Sequence, residues 1–350
     1  MSSSAPVRRT VGGLLLAAAL SAAAALAAPA SADPVPGASV SDSMTRLADL
    51  SHQSELTTEA MHNAQMELDA KSAAQREAED RLAADRAAAD AARAQLETLR
   101  PEVDKIARAN YQGARTNRLF AVMVSDSPQQ LLDQMAALDV ISKDTAATVD
   151  SFRATSDAAA AAAEASARSA EEARAATEQA TAVSDDLQSK QSTLQTEIAD
   201  VVSAFGALSA NEKAQLAGSA FPPGFDPSVI LKSLTPGSQS GALQAALTQI
   251  GKPYVWGATG PDGYDCSGLV VWAYQQVGKT LPRSSQAQAA GGTPVSKEDL
   301  QPGDLVLFYP GATHVGLYAG NGNVLHASTF GVPVRVESMA SWPFYGARRY

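Results

Sequence analysis

A single cysteine, Cys266, and four histidines carry most of the nucleophile and base chemistry open to this 350-residue chain. Cys266 follows the turn-forming run Pro261-Asp262-Gly263 and opens "CSGLVVWAY", a stretch that reads as helix. A thiol at a helix N-terminus faces the positive end of the helix dipole, which predicts a lowered thiol pKa and a thiolate nucleophile. His314 and His326 lie in "THVGLYAG" and "NVLHAST", two strand-like runs joined by Asn321-Gly322, a strong hairpin signal. Pairing of those strands can bring both imidazoles to one sheet face. A thiolate, a base and a group that orients the base are the minimum for acyl transfer through cysteine. The competing reading of Cys266 is a buried core residue. His52 and His62, ten residues apart in a helical stretch, read as surface positions. With one Cys and two usable His there is no metal constellation. No phosphate loop or dinucleotide fingerprint appears, so neither metal nor cofactor is expected.

The elements that must position these groups divide the chain into unlike parts. Of 19 aromatic residues, 15 follow Ala220. Between Ala38 and Phe205 there is one glycine, Gly113, and two prolines, Pro101 and Pro128. A stretch rich in Ala, Glu, Gln, Arg and Asp and nearly free of Gly and Pro is helical by default. Leu47, Ser54, Met61, Leu68, Gln75, Leu82, Ala89, Leu96 and Val103 recur every seven residues. A second seam runs through Leu138, Phe152, Ala159, Ala173, Ala180, Leu187, Leu194 and Val201. Both predict coiled-coil helices, folded back as an antiparallel hairpin or paired between chains. A break is expected from Pro101, with a small apolar lobe over about 101–130 at the hairpin tip. A non-helical tether is expected over 206–241, where Pro, Gly and Ser gather. From residue 242 the pattern becomes helix, Gly-rich loop, helix, then strands. The fold class is α+β, a helical rod of residues 33–205 followed by a sheet-containing domain of residues 242–350.

Charge follows the same division. The chain carries 27 Lys and Arg against 37 Asp and Glu, and the excess acid lies in the rod. An acidic rod and a near-neutral C-terminal part without a basic stripe exclude nucleic acid as the expected partner. Arg8-Arg9, the apolar run Val11–Ala28 and the small-residue site Ala30-Ser31-Ala32 predict a signal peptide over residues 1–32, with a retained anchor as the alternative. The mature chain is then expected to be secreted, to the cell wall or a periplasm-like space. One thiol cannot make an internal disulfide there, so Cys266 is either buried or used.

Five ordered blocks, "GKPYVWGATGPDGYDCSGLVVWAY", "LPRSSQAQ", "QPGDLVLF", "THVGLYAG" and "VLHAS", together resemble the NlpC-type, papain-like peptidoglycan peptidases. The resemblance covers roughly residues 243–350. It implies a papain-like domain with a central antiparallel sheet, Cys266 as nucleophile, His314 as general base and His326 as the residue orienting it. It further implies Tyr254 beside the Cys266 N–H in the oxyanion hole, and Asp265 and Ser267 lining the substrate cleft. Asp304, in the "PGDL" block, reads as a turn-stabilising residue. The substrate implied is the stem peptide of peptidoglycan, cut between D-Glu and meso-diaminopimelate. An amidase of related chemistry and a non-catalytic wall-binding scaffold are the alternatives.

The tip sequence "IARANYQGARTNRLFAVMVSDSPQQLLDQMAALDVI" resembles that of division-associated wall hydrolases of the RipC kind, which implies docking on an FtsEX-like membrane complex. Tyr111, Leu119, Phe120, Val122, Met123, Leu131 and Leu132 are the bulky candidates for that contact. An exported hydrolase with an open cleft endangers its own cell, so a latent form is expected. Phe221, Phe225 and Ile230 of the tether are the candidate plugs.

Overall fold

The structure is a computed structural model that describes residues 40–111, 125, 127–233 and 238–350. The expected signal peptide, and Leu119, Phe120, Val122 and Met123 of the tip, lie outside those residues. Helix α1 spans Val40–Tyr111 and α2 spans Pro128–Ala207. Each is more than 100 Å long at about 1.5 Å per residue. Pro128 occupies the first turn of α2, where its missing N–H costs nothing, and the Ser127 side chain caps the Gln130 N–H.

The two helices run antiparallel within one chain. Gln53 donates to Glu197, Lys71 to Gln179 and Arg81 to Glu172, so rising numbers on one helix meet falling numbers on the other. These exposed contacts contribute little. The seam contributes more: Leu47 and Ser54 of α1 and Ala173, Ala180, Leu187, Leu194 and Val201 of α2 are buried at the heptad spacing. Contrary to the expected break, α1 continues through Pro101. That proline is exposed, so water can take the carbonyl its missing N–H leaves unbonded.

The tether is more ordered than its composition suggests. It contains α3 (Ala210–Ala217), opened by a reciprocal Ser209–Glu212 capping box, and α4 (Pro227–Ser233). Phe221 and Phe225 stack with ring centroids 5.6 Å apart and pack, with buried Ile230, against the C-terminal core.

That core is built from α5 (Ser238–Leu247), α6 (Cys266–Gln275), α7 (Ser285–Ala290) and one sheet. The strands are β1 (Thr293–Pro294), β2 (Leu305–Phe308), β3 (His314–Gly320), β4 (Asn323–His326), β5 (Arg335–Ser338) and β6 (Phe344–Arg349). Their order is β1-β6-β2-β3-β4-β5, antiparallel at every pairing. Strand alternation sorts the side chains. Leu305, Leu307, Leu317, Leu325 and Val336 join Leu243, Leu269 and Val270 of the helices, while Val306, Phe308, Val324 and Met339 form a second cluster. The β3–β4 turn places Asn321 at φ 52° and Gly322 at φ 71°, the left-handed pair that an Asn-Gly hairpin requires. Asp304 accepts the Gln301 N–H and two bonds from Arg349, the structural role its turn motif suggests.

The base of the helical hairpin is packed into this domain. Leu47, Val201 and Leu208 form a buried cluster against Phe205, Leu216, Trp256 and Phe330. Trp256 and Phe330 are stacked at 4.8 Å, and the Trp256 indole N–H donates to Ser54 of α1 at 3.0 Å.

Candidate active site

Cys266 is the first residue of α6, and Asp265 is its N-cap, accepting the Gly268 N–H at 2.7 Å. Gly268 is required at its position, because a Cβ there would lie 2.1 Å from the Ala258 carbonyl oxygen. The loop before Cys266 therefore rests directly on the first turn of α6. Arg283 holds Asp265 in a two-pronged pair at 3.0 and 2.5 Å. Burial pushes the Asp265 carboxyl up, but Arg283 and His62 outweigh it and hold the group well below the usual carboxylate range.

His314 begins β3, which packs on α6, and His326 ends β4. The register pairs Leu317 with Leu325, so His314, Gly316 and His326 share one sheet face. Gly316 leaves room there: a Cβ would lie 2.9 Å from that of His326. His314 Nε2 then stands 2.9 Å from His326 Nδ1. Trp342 stacks on His314 at 5.0 Å and meets His326 edge-on at 4.9 Å. Both imidazoles are fully buried. Burial, then the neighbouring His326 and His52, pull the His314 pKa well below its ordinary value, so His314 is a neutral base at pH 7. Its Nδ1 has no hydrogen-bond partner. Tyr254 is buried. Burial first, then Glu55 and Cys266, push its phenol far above 10, so it remains a donor.

The cleft is covered by α1, and this corrects three sequence expectations. The plug is not Phe221, Phe225 or Ile230, which belong to the core. It is the α1 row His52, Glu55, Glu59 and His62, whose spacing of three and four residues puts all four on one helix face. Glu59 accepts the Ser267 hydroxyl at 2.6 Å and the Ser285 N–H at 2.6 Å, and its Oε1 lies 3.5 Å from Cys266 Sγ. Glu55 Oε2 stands 3.8 Å from His314 Nδ1. His62, expected at the surface, is buried with its Nε2 at 3.2 Å from Asp265. His52, also expected at the surface, is half-buried with its ring on Tyr309 at 4.8 Å. The third correction concerns the thiol. Burial first, and then the charges of Glu59, Asp265 and Glu55, push Cys266 well above its ordinary value, the opposite of what the helix dipole alone predicts.

Residues that sequence reasoning did not single out are Arg283, Ser285, Glu337 and, in the α1 row, Glu55 and Glu59. Arg283 and Ser285 were inside the quoted "LPRSSQAQ" block. The α1 row lies off the apolar seam, as polar groups of helical period, a pattern that a solvated face also produces. Of the tip candidates, Tyr111 is almost fully exposed, Leu132 is exposed and Leu131 is half-buried. Among the described residues no His, Cys, Asp and Glu group could hold a metal ion, and no helix is long and apolar enough to cross a membrane.

A model of the NlpC/P60 family matches residues 251–346. A protein of Mycobacterium tuberculosis named as a probable endopeptidase is 42% identical over 93% of this chain and 92% of its own length. A probable endopeptidase of Corynebacterium glutamicum is 58% identical over 31% of this chain and 52% of its own. The bifunctional muramidase/DL-endopeptidase of Bacillus subtilis is 42% identical over 26% of this chain and 29% of its own.

Proposed function

Because this chain belongs to the NlpC/P60 family, a family of peptidoglycan endopeptidases that work through a cysteine, we propose that Cys266, His314 and His326 are its nucleophile, base and orienting residue. The bond proposed is that between D-Glu and meso-diaminopimelate in the stem peptide. The observation that carries the assignment is the buried, neutral His314, joined to His326 and carried on β3, the strand that packs on the helix Cys266 opens. His314 takes the thiol proton, and the sulfur attacks the carbonyl carbon of the scissile amide. The Cys266 N–H and the Tyr254 hydroxyl hold the resulting oxyanion. His314 returns the proton to the leaving amine, and water, deprotonated by His314, releases the second product from the thioester.

The bond choice is supported by what α1 puts in the cleft. The Glu59 carboxylate rests on the Ser267 hydroxyl and the Ser285 N–H next to the sulfur. A D-Glu residue joined through its side chain keeps a free carboxylate near the scissile carbonyl, and the same donors suit it. An amidase cutting before L-Ala would find no carboxylate at that point of its substrate.

The same contacts support a latent enzyme. With Glu59 against Cys266 the thiol is protonated and screened from substrate, so hydrolysis requires α1 to lift. An exported protein whose exposed tip residues, including Tyr111, dock on an FtsEX-like membrane complex has a lever for that movement, with cell-wall remodelling or daughter-cell separation as the setting. Mass spectrometry of muropeptides digested by the full chain tests the assignment. New L-Ala-D-Glu termini absent with Cys266→Ala are expected. Release of intact stem peptides would replace this reading by the amidase, and no products from any form would leave the scaffold.

A further inference from the structure

Glu337, on β5, is used by none of the steps above, yet this half-buried carboxylate extends the hydrogen-bonded row of His314 and His326. Register puts it on the same sheet face as His326, since Val324 pairs with Glu337 and His326 with Arg335. Glu337 Oε2 stands 3.0 Å from His326 Nε2. Its other oxygen is taken by Arg335, which also donates to the carbonyls of Leu216 at 3.2 Å and Ala217 at 2.7 Å, at the end of α3. The carboxylate is thereby fixed in place with one oxygen turned to the imidazole.

We infer that Glu337 is a positioning residue that sets which nitrogen carries the proton in His326 and, through it, in His314. The inference rests on the cysteine-peptidase reading above. An ionised carboxylate only accepts hydrogen bonds, so His326 must carry its proton on Nε2. Burial raises the Glu337 carboxyl, but the bond to His326 and the charge of Arg335 bring it below the ordinary value, so it is ionised at neutral pH. An imidazole with its proton on Nε2 has its lone pair on Nδ1, and in His326 that atom faces His314 Nε2 at 2.9 Å. His314 must then donate from Nε2, which leaves its own lone pair on Nδ1. That is the buried nitrogen with no hydrogen-bond partner, and it is the only one of the two free to take the Cys266 proton. Each proton position thus follows from the one before, starting at Glu337. Without the carboxylate, His326 can adopt the Nδ1–H form, donate to His314 Nε2 and place a proton on the nitrogen that has to act as base. The bland reading is an Arg335–Glu337 ion pair that only braces the strand. It makes no demand on the tautomers.

The test uses the full chain with 15N-labelled histidine. In the wild type, His314 and His326 are expected as Nε2–H tautomers, assigned by loss of signals in His314→Ala and His326→Ala. In Glu337→Gln, which keeps the shape and one oxygen for Arg335, the His326 and His314 ring signals are expected to move toward the Nδ1–H form. Muropeptide turnover should fall on the order of 10- to 100-fold in kcat with KM little changed, as for a weakened general base. A wild-type His326 found as Nδ1–H overturns the inference without any variant, and so do ring signals in Glu337→Gln that match the wild type. Cys266→Ala serves as the separate control. If it cleaves at the wild-type rate the peptidase assignment fails, whatever the tautomers do.

Discussion

Replacing Glu59 by alanine should open the cleft. The side chain accepts two hydrogen bonds of 2.6 Å, from the Ser267 hydroxyl and the Ser285 N–H. Bonds to a charged acceptor contribute about 2 kcal/mol each. Against them stands the cost of burying the carboxylate beside Asp265, which offsets about 2 kcal/mol of that total. The net contribution to closure is then about 2 kcal/mol, or roughly 30-fold in the ratio of covered to open cleft. A second effect has the same sign. Glu59 is among the charges that hold the Cys266 thiol protonated, so its loss lowers the thiol pKa. The assay is the alkylation rate of Cys266 by iodoacetamide in the full chain, the only thiol present, together with muropeptide turnover. Both should rise on the order of 30-fold, with helix content unchanged. Rates within twofold of wild type in both would refute the argument that Glu59 holds α1 down. The pH dependence gives an independent check. Burial and Asp265 raise the Glu59 carboxyl in the closed form above its ordinary 4.5. The closed form therefore binds the proton more tightly than the open one. Closure is fully favoured below 4.5 and weakens as pH rises through the raised value. Alkylation of the wild type should steepen over that range, and Glu59→Ala should lose the extra steepness.

Three further outcomes follow from the same geometry. Tyr254→Phe removes one oxyanion donor and should lower kcat about 100-fold with KM little changed, measured on muropeptides with Glu59→Ala as background. Asp265→Asn should cost about 3 kcal/mol by leaving Arg283 without its charge partner, read from urea unfolding. The Asp265 carboxyl is held below its ordinary 3.8, so its contribution is present above that pH and lost as pH falls toward the depressed value; the wild type should lose stability below about pH 4 and the Asn variant should lack that loss. Gly268→Ala places a methyl on the Ala258 carbonyl, so α6 must shift, and both the melting temperature and turnover should fall.

Local signals made much of this protein legible in its sequence. Heptad spacing marked the two long helices, because burial along a helix pair repeats every seven residues and alanine at Ala173 and Ala180 keeps that period. Asn321-Gly322 marked the hairpin that carries His314 and His326, because few other pairs accept two successive positive φ values. The five blocks around Cys266 marked the family. Pro101 misled, since proline weakens an isolated helix by its missing N–H but cannot break one braced along its whole length by a partner. What lay beyond the sequence depends on contacts between residues some 200 apart. Glu59 and His62 look like a solvated face until α1 is laid over Cys266 and Asp265, 207 and 203 residues away. The thiol pKa reversed for the same reason. The helix dipole at Cys266 is a local property and favours thiolate, whereas burial under α1 and three nearby carboxylates are tertiary properties that outweigh it. Glu337 likewise gained its place behind His326 only when β5 paired with β4, since a strand's sequence states which residues share a face but not which strand it will lie beside.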